Sequence, residues 1–377
     1  MTKNVNYSYW ELQQYFSVFD LIVIGSGIVG LSTAISYQQK NKKARVLILE
    51  KGILPSGAST KNAGFACFGS PSELLDDLEK MPEQTVWQTV EMRWKGLQIL
   101  QKRLGNKNID FNLYGGFELF DNQKQFQECF EKVSYLNKMI FNCIGLKNTY
   151  SDASSKTTSF KKIKGVILNK YEGQLDTGLM MKNLIELAIK NGIIILNGIS
   201  ISKINDIGKS VELQSDAGIF KALKVIVATN GFATELLKIK DVQPARAQVL
   251  ITKPIKNLKL KGAFHYQQGY YYFRNINDRI LFGGGRNLDF KGETTTKVEV
   301  NVKIQNHLDL LLKEVILPGI KFEVEHRWSG IMGVGNEKRP IIKFVSKNVL
   351  AAVRMGGMGI AIGSLVGEKA AKKISES

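Results

Sequence analysis

The first regular pattern in the chain is an apolar run, Leu21–Ile24, that leads directly into the glycine-rich sequence Gly25–Gly30. A second apolar run, Val46–Leu49, ends at Glu50. Two short apolar runs that flank a segment of helical length are typical of a strand–helix–strand unit with buried strands. The pattern therefore predicts a βαβ unit over about 19–49.

The glycines of this unit have the spacing Gly-x-Gly-x-x-Gly. Gly25 permits a tight turn, Gly27 lets the backbone approach a pyrophosphate, and Gly30 lets the helix pack on the strand. The helix N-terminus offers free N–H groups to phosphates, and Glu50 can accept hydrogen bonds from ribose hydroxyls. A glycine turn can also be purely structural, but strand, helix, second strand and acid in register favour nucleotide binding. The predicted binding residues here are Gly25, Ser26, Gly27, Ile28, Val29, Gly30, Glu50 and Lys51.

Further elements follow from the period of the apolar positions. Helical spacing predicts helices over 72–104, 123–143, 179–190 and 298–315. Alternation and short apolar runs predict strands over 193–196, 211–213, 224–228, 249–252, 270–274, 280–283 and 349–353, and a strand pair over 111–120 that turns at Gly115-Gly116. A last helix follows the final strand, and no internal repeat is present.

The turn before the last helix is also rich in glycine, with the sequence Gly356-Gly357-Met358-Gly359. A helix that begins there offers a second N-terminus to negative charge. A simple nicotinamide site does not need a second helix end, whereas an extended dinucleotide such as FAD does. One end would face the pyrophosphate and the other the charge of a reduced flavin ring. Taken alone, the turn could also be a packing feature.

Length and composition narrow the class of protein. A chain of 377 residues is expected to form two domains, or one large domain with an inserted lobe. Its hydrophobic content of 44% is typical of globular proteins. No stretch reaches the roughly 20 apolar residues of a membrane span, and Met1–Tyr15 lacks the apolar core of a signal peptide. We therefore expect a cytoplasmic protein without a membrane span.

Cysteines, histidines and charge add little specific chemistry. The formal net charge is +18, but lysines are spread along the whole chain without a continuous basic run. A lysine-rich surface is thus favoured over nucleic acid, anionic membrane or acidic substrates as partners. Too few cysteines and histidines are present, at unsuitable spacing, for disulfides or a metal site, so we expect structural roles, a reducing compartment and no metal. These residues are Cys67, Cys129, Cys143, His265, His307 and His326.

Together the motifs resemble the D-amino-acid oxidase family of FAD enzymes, which includes glycine oxidase and sarcosine oxidase, over about Asp20–Ala371. The sequence Gly-Ala-Ser-Thr-Lys-Asn-Ala-Gly at Gly57–Gly64 is similar to the flavin-contacting loop of that family. This motif is far more specific than the glycine turn. The other segments that carry the resemblance are Gly173–Asp176, Val225–Gly231, Trp328–Gly330 and Met355–Ile360.

The resemblance implies an α/β fold. A Rossmann-like FAD-binding domain built from discontinuous segments would carry an inserted, β-rich α+β substrate domain. We assign 1–90, 150–242 and 325–377 to the FAD-binding domain, and 91–149 and 243–324 to the substrate domain. The further FAD-binding residues that the resemblance implies are Gly57, Ala58, Ser59, Asn62, Ala63, Gly64, Phe65, Ile201, Thr229, Asn230, Gly231, Gly330, Arg354, Gly356, Gly357, Met358, Gly359 and Ile360.

The reaction that the resemblance implies is oxidation of a C–N bond in a small amine or amino acid. A hydride leaves the carbon that bears a neutral amine for flavin N5, and the resulting imine hydrolyses. Oxygen or another electron acceptor then takes the electrons. Because the cofactor carries this chemistry, the protein needs no Ser–His–Asp triad or carboxylate pair.

The chain departs from the family pattern in three places. Some relatives attach FAD covalently through a His in the flavin loop or a Cys near the C-terminal flavin segment. Here Lys61 occupies the loop position and 328–340 contains no Cys, so we expect non-covalent FAD. Relatives specific for amino acids carry an Arg in a Gly-Leu-Arg-Pro segment, which Met332 replaces in Gly330–Gly333. A Lys that promotes reaction with oxygen is not obvious in Arg279–Gly283.

Candidate substrate residues lie on one predicted strand. Alternation places Tyr270, Tyr272 and Arg274 on one face and Tyr271 and Phe273 on the other. An aromatic pair beside an arginine suits an amine-bearing ligand, although such residues also pack a sheet against its neighbour. The predicted substrate residues are Tyr270, Tyr272, Arg274 and Met332.

With Met332 in place of arginine, the substrate either lacks a carboxylate or has it bound elsewhere. Arg274 is the first candidate for that contact, with Arg286 and Arg339 next. Two other functions stay open. A tRNA-modifying flavoprotein would need a contiguous positive face and would bind with steep salt dependence. A flavin module with an electron-relay role would not be reduced by any small amine.

Overall fold

The computed structural model describes residues 6–377, so the first five residues of the predicted N-terminal segment lie outside the described residues. The helices are α1 Tyr9–Glu11, α2 Ile28–Lys40, α3 Ala58–Lys61, α4 Pro71–Lys80, α5 Glu83–Leu104, α6 Gln123–Glu131, α7 Val133–Ile144, α8 Thr177–Lys190, α9 Val302–Leu311 and α10 Gly359–Ser375. The strands are β1 Phe19–Ile24, β2 Val46–Glu50, β3 Phe65–Ala66, β4 Gly116–Phe120, β5 Tyr150–Asp152, β6 Gly165–Asn169, β7 Gly173–Gln174, β8 Ile194–Asn197, β9 Ile201–Asp206, β10 Val211–Ser215, β11 Gly218–Val227, β12 Gln243–Thr252, β13 Ala263–Tyr266, β14 Tyr271–Ile276, β15 Arg279–Gly284, β16 Val324–Val334, β17 Ile341–Ser346 and β18 Val349–Val353.

The first sheet has the strand order β17-β18-β11-β1-β2-β8, and β10 and β9 extend it as a hairpin that pairs with β11. Strands β18, β11, β1, β2 and β8 run parallel. Alternate residues of β1 enter two different cores, Leu21 and Val23 on one face and Ile22 and Ile24 on the other. Burial on both faces explains why β1 reads as an unbroken apolar run. The predicted βαβ unit is confirmed.

Helices α2, α5, α8 and α10 cover one face of this sheet. Helices α5 and α10 approach each other closely, because a Cβ on Gly96 would lie 2.0 Å from the carbonyl oxygen of Ala361. The absence of a side chain at Gly96 therefore permits the two helices to touch through their backbones. The opposite face of the sheet is covered by the β9–β10 hairpin and by 230–242.

The second sheet has the order β16-β12-β15-β14-β13-β4-β6-β5 and is mostly antiparallel, with β13 and β4 as a parallel pair. Helix α9 packs on one face over an aromatic core in which Phe264 and Phe273 stack with centroids 4.7 Å apart. Helices α6 and α7 cover the β4–β6 end together with α4 and α5. The remaining face, which carries Tyr272 and Leu281, packs against Ala63 of the loop at Gly57–Gly64.

The predicted α/β fold class is confirmed, but the two sheets divide the chain differently from the predicted segments. Strands β5 and β6 and strand β16 pair into the second sheet, although 150–242 and 325–377 were assigned to the FAD-binding domain. Helix α5 also runs unbroken through the predicted boundary at 90, and Leu97 and Leu100 belong to the core of the first sheet. Strand membership depends on hydrogen-bonding partners distant in sequence, which local composition does not contain.

Two local predictions also differ from the structure. The strand pair over 111–120 contains one strand, β4, because Asn112 instead forms an isolated bridge with Gln174. The helix predicted over 298–315 begins at Val302 and passes into a π-helical turn at Leu312–Ile316. The other predicted helices and strands are present, with 72–104 and 123–143 each divided into two helices. Strands β11 and β12 each begin six residues before their predicted starts at 224 and 249.

Candidate cofactor and substrate site

A cavity of about 980 Å³ lies between the carboxyl ends of the parallel strands and the second sheet. It begins at the first turn of α2, passes the 57–64 loop and the turn before α10, and ends among aromatic side chains of β14. In open α/β sheets, ligands bind outside the carboxyl ends of the strands. The volume is at the upper end of the range for small-molecule sites, as an extended ligand requires.

The glycine turn after β1 has the close backbone contacts that the sequence predicts. Gly25 has φ +101°, a conformation that glycine adopts readily. A Cβ on Gly30 would lie 1.9 Å from the carbonyl oxygen of Gly25, so the helix packs directly on the turn. A Cβ on Gly27 would lie 2.9 Å from Oγ of Ser59, and the Ile28 N–H donates to that same oxygen at 3.0 Å. The glycine turn and the 57–64 loop thus form one surface.

Glu50 ends β2 at the cavity wall with its carboxylate already oriented. Oε2 accepts hydrogen bonds from the Ser26 N–H at 2.9 Å and the Ser26 hydroxyl at 2.7 Å. Oε1 accepts from the Gly52 N–H at 3.0 Å. Both lone pairs of Oε2 are taken by Ser26, and Oε1 retains one for a further donor. The carboxylate is therefore preorganised to accept a further hydrogen bond, such as one from a ribose hydroxyl.

We expect Glu50→Ala to weaken FAD binding by roughly 10- to 100-fold, because charge-assisted hydrogen bonds to ribose are worth about 1.5–3 kcal/mol. Quenching of flavin fluorescence on titration of the apoprotein measures this affinity. Glu212→Ala removes a carboxylate from the same sheet at a surface ion pair and serves as the control. An unchanged affinity in Glu50→Ala would limit Glu50 to orienting Ser26 and Gly52.

The 57–64 loop is held in place by Asn62. Its Oδ1 accepts from the Gly64 N–H at 2.8 Å and from the Thr177 hydroxyl at 2.9 Å, and its amide donates to the carbonyls of Ala58 and Ser59. These bonds fix the loop internally and join it to the start of α8. Because of these hydrogen bonds, the part of the cavity wall that the 57–64 loop forms is held in one conformation.

Arg274 lies on the predicted face of β14, but its guanidinium does not line the cavity. It is buried, donates to the carbonyl oxygens of Ala63 and Leu175, and so joins the 57–64 loop to the segment before α8. Burial lowers its pKa to about 10. The predicted role of Arg274 as a carboxylate anchor is therefore corrected, because the side chain is buried outside the cavity wall and two of its nitrogens donate to backbone carbonyls.

The turn before α10 is built against a second loop. Asn230, at φ +48°, accepts the N–H groups of Arg354 and Met355 on its Oδ1 at 3.1 and 3.2 Å. Gly356 and Gly357 have φ of +56° and +82°, and α10 begins directly after them at Gly359. A helix N-terminus consequently opens onto the cavity.

Most predicted site residues line the cavity, and five lie behind its wall. Those in the wall are Gly25, Gly27, Ile28, Val29, Glu50, Lys51, Gly57, Ala58, Ser59, Asn62, Ala63, Gly64, Phe65, Ile201, Thr229, Asn230, Tyr270, Tyr272, Gly330, Met332, Gly356, Gly357, Met358, Gly359 and Ile360. Those outside the wall are Ser26, Gly30, Gly231, Arg274 and Arg354. Ser26 and Arg354 act through neighbours: Ser26 bonds Glu50, and Arg354 forms an ion pair with Asp241.

The far end of the cavity is aromatic. Tyr272 packs over Gly283, where a Cβ would lie 2.7 Å from its ring, and meets Phe65 edge-on with centroids 5.7 Å apart. Tyr270, 43% exposed, lies beside Phe290. The predicted alternation is confirmed, since Tyr271 points into the opposite core.

A group of charged side chains in the wall was missed from the sequence. Arg93 contacts Glu73 at 3.0 Å, and Lys338 lies 3.0 Å from Glu73 and 2.7 Å from Asp77. Burial alone would raise the pKa of Glu73, but Arg93 and Lys338 lower it to about 2. The signal in the sequence is an arginine at helical spacing from Val90 on the apolar face of α5.

His265 and Cys67 also line the cavity, although both were expected to be structural. Nε2 of His265 lies 3.6 Å from Oε2 of Glu172, and neither atom has a hydrogen-bond partner within residues 6–377. The other Glu172 oxygen accepts the N–H groups of Phe68 and Gly69. Burial lowers the pKa of His265, Glu172 raises it, and the net direction is upward. Burial raises the pKa of the Cys67 thiol. No sequence spacing marks this group.

Two classes of feature are not found in residues 6–377. No group of three or more His, Cys, Asp or Glu side chains is arranged to hold a metal ion. No helix in this part of the chain is both long and apolar enough to cross a bilayer.

Comparison with known proteins identifies the family. The family model described as FAD dependent oxidoreductase matches residues 20–373. The chain belongs to this family of FAD-dependent oxidoreductases. It is accordingly an enzyme whose cofactor is FAD, and the resemblance seen in the sequence is confirmed.

Individual relatives are distant. A probable oxidoreductase of Haemophilus influenzae is 20% identical, over 94% of this chain and 82% of its own. Sarcosine oxidase subunit beta of Rhizobium meliloti is 21% identical, over 86% of this chain and 76% of its own. L-Proline dehydrogenase of P. horikoshii has a TM-score of 0.77 at 17% identity, covering 96% of this chain and 94% of that structure. Glycine oxidase of Bacillus cereus has a TM-score of 0.72 at 17% identity, covering 95% of each. The structural similarity shows a shared fold.

The residues present fit FAD. The glycine turn leaves a backbone-lined hollow at the N-terminus of α2. A Cβ on Gly57 would meet no atom of residues 6–377 within 4 Å, so that side of the loop is open. Glu50 lies in the cavity wall as a hydrogen-bond acceptor, and the N-terminus of α10 opens onto the same cavity.

Proposed function

We propose that the enzyme uses FAD to oxidise the C–N bond of a small amine or amino acid. The observation that supports this is the continuity of one cavity, from the glycine cradle at α2 to the aromatic pocket at Tyr272. A flavin ring and a small substrate would share that compartment. Three of the relatives named above oxidise proline, glycine or sarcosine according to their names, and each of these compounds carries such a bond.

The protein's own contribution is binding, orientation and exclusion of water. Bound FAD supplies the acceptor for a hydride from the amine carbon. Glu50 and the first turn of α2 would bind the nucleotide, and the start of α10 would face negative charge at the flavin end. Tyr272 and Phe65 present apolar surface where a substrate would lie.

The same proposal covers the mode of attachment. Lys61 holds the loop position at which some relatives link the flavin, and its carbonyl accepts from the Trp328 indole at 3.0 Å. Cys67 lies in the wall, but its raised pKa keeps it a neutral thiol at pH 7, which is a weak nucleophile. We therefore propose non-covalent FAD. The electron acceptor, oxygen or another molecule, and the cytoplasmic location stay predictions.

Purified protein is expected to be yellow and to release FAD into the supernatant on acid denaturation. Under anaerobic conditions, a panel of small amines and amino acids, with proline, glycine and sarcosine included, is then mixed with the holoenzyme while flavin absorbance is followed. At least one compound should bleach the flavin. Flavin that stays with the precipitated polypeptide would refute non-covalent binding. A flavin that no compound reduces would refute the proposed function in favour of an electron-relay or tRNA-linked role.

A further inference from the structure

Arg286 is a cation of the cavity wall for which residues 6–377 provide no acidic partner. It follows Gly285 at the end of β15 and lies in the wall with Tyr270. Its guanidinium carbon stands 5.1 Å from the centre of the Phe290 ring. Within residues 6–377 no carboxylate forms an ion pair with it, and its Nε is buried without a hydrogen-bond partner.

The acid that could have neutralised Arg286 is already occupied. Glu293 is fully buried and receives two hydrogen bonds from Arg246, at 2.7 and 3.0 Å, and one from Gln248 at 2.9 Å. Asn301 donates to it as well, at 2.8 Å. Glu293 is therefore saturated, and the fork of Arg286 stays available to the cavity.

Four other cations of the wall have acidic partners. Arg93 and Lys338 contact Glu73, and Lys80 contacts Asp76. Lys51 lies 3.7 Å from Glu235. Lys61 has no ion pair among the described residues, but it belongs to the 57–64 loop, and its stem lies against Gly330.

A half-buried guanidinium without a partner costs free energy that a bound anion would recover. The planar fork of arginine matches a carboxylate with two parallel hydrogen bonds. Burial lowers the pKa of Arg286, and a carboxylate at this position would oppose that shift. Met332 supplies no such donor from β16, and Arg93 is paired with Glu73, so the arginine fork available for a carboxylate lies at the end of β15.

We infer that Arg286 binds the carboxylate of the substrate, which is then an amino acid with a free carboxyl group and not a plain amine. This inference rests on the proposed function. It places the carboxylate beside Tyr270, which is 43% exposed, and leaves the amine-bearing carbon toward Tyr272 and Phe65. Arg286 is thus the residue that determines specificity in a pocket whose β16 side is apolar.

The test uses the holoenzyme and simple carboxylates, so it does not require turnover. Binding of acetate and benzoate is measured by calorimetry and by perturbation of the flavin spectrum. We expect Arg286→Met to weaken binding at least about 30-fold, and Arg286→Lys to weaken it less, because lysine keeps the charge without the fork. Lys291→Met removes one exposed positive charge five positions away and should change affinity less than about twofold.

Turnover gives a second measurement. For an amino acid and the amine that lacks only its carboxylate, Arg286→Met should lower kcat/KM at least about 30-fold for the amino acid and little for the amine. Flavin content is measured for every variant, and Arg286→Gln replaces Arg286→Met if the latter loses FAD.

Carboxylates that bind equally to wild type and Arg286→Met, or that do not bind wild type, would overturn the assignment. A preference for the amine in the wild-type enzyme would overturn it too. If no amine or amino acid reduces the flavin, the proposed function fails, while carboxylate binding still decides whether Arg286 is an anion site.

Discussion

Gly30→Ala is expected to yield protein with less than about a tenth of the wild-type flavin content. The added Cβ would lie 1.9 Å from the carbonyl oxygen of Gly25 and 3.1 Å from its carbonyl carbon. Both atoms are backbone, so relief requires α2 to move away from β1. That movement displaces the N–H groups that would face the pyrophosphate. Flavin absorbance per protein and thermal unfolding of the apoprotein measure the two consequences.

Gly178→Ala is the matched control, because it also adds a methyl group in the first turn of a helix. Its Cβ would meet a side-chain oxygen of Asp176 at 3.2 Å, and a small shift of that side chain relieves the contact. The control should keep its flavin. Full flavin content in Gly30→Ala would show that α2 can move away from the turn at Gly25 without loss of FAD binding.

Arg246→Met is expected to lower the free energy of unfolding by about 3–5 kcal/mol, because it leaves Glu293 as an uncompensated buried charge. Arg246 is 5% exposed and Glu293 0%, and two hydrogen bonds of 3.0 and 2.7 Å join them. Denaturant unfolding at pH 7 measures the loss. Lys253→Met breaks the exposed Lys253–Glu323 pair and should cost at most about 1 kcal/mol.

The pH dependence of this deficit has a definite sign. Burial raises the pKa of Glu293, but Arg246, Gln248 and Asn301 lower it below the ordinary value of 4.5. A carboxylate with a lowered pKa contributes stability that is present above its unfolded pKa and lost as the pH falls through its folded pKa. The difference between wild type and Arg246→Met should therefore be largest at neutral pH and shrink below about pH 4. A deficit that is constant with pH would point to lost packing of the arginine stem instead.

The sequence by itself determined the nucleotide half of the site, because that half depends on residues close together in the chain. The apolar run of β1, the glycines of the turn and the acid at the end of β2 belong to one βαβ unit of about 30 residues, a typical length. Backbone conformation at Gly25 and close packing at Gly30 are local requirements, so residue type and spacing were sufficient to predict them. The same holds for the turn at Gly356-Gly357, whose positive φ values follow from glycine chemistry.

Sheet membership was decided only by the tertiary structure. On its sequence pattern alone, strand β16 could belong to either sheet. Its hydrogen bonds with β12 place it in the second sheet. Strands β5 and β6 join the second sheet for the same reason. A strand carries the same alternation whichever neighbour it pairs with, so its partner is set by packing between distant segments.

The charged part of the site was also decided by the tertiary structure. Arg274 and Arg286 lie twelve positions apart and look alike in sequence. Arg274 nevertheless donates to two backbone carbonyls, whereas Arg286 lies in the cavity wall with no ion-pair partner in the described part of the chain. Lys338 meets Glu73 from the other end of the chain. Which charges neutralise one another depends on the separation of side chains in the folded state, and the sequence does not contain that distance.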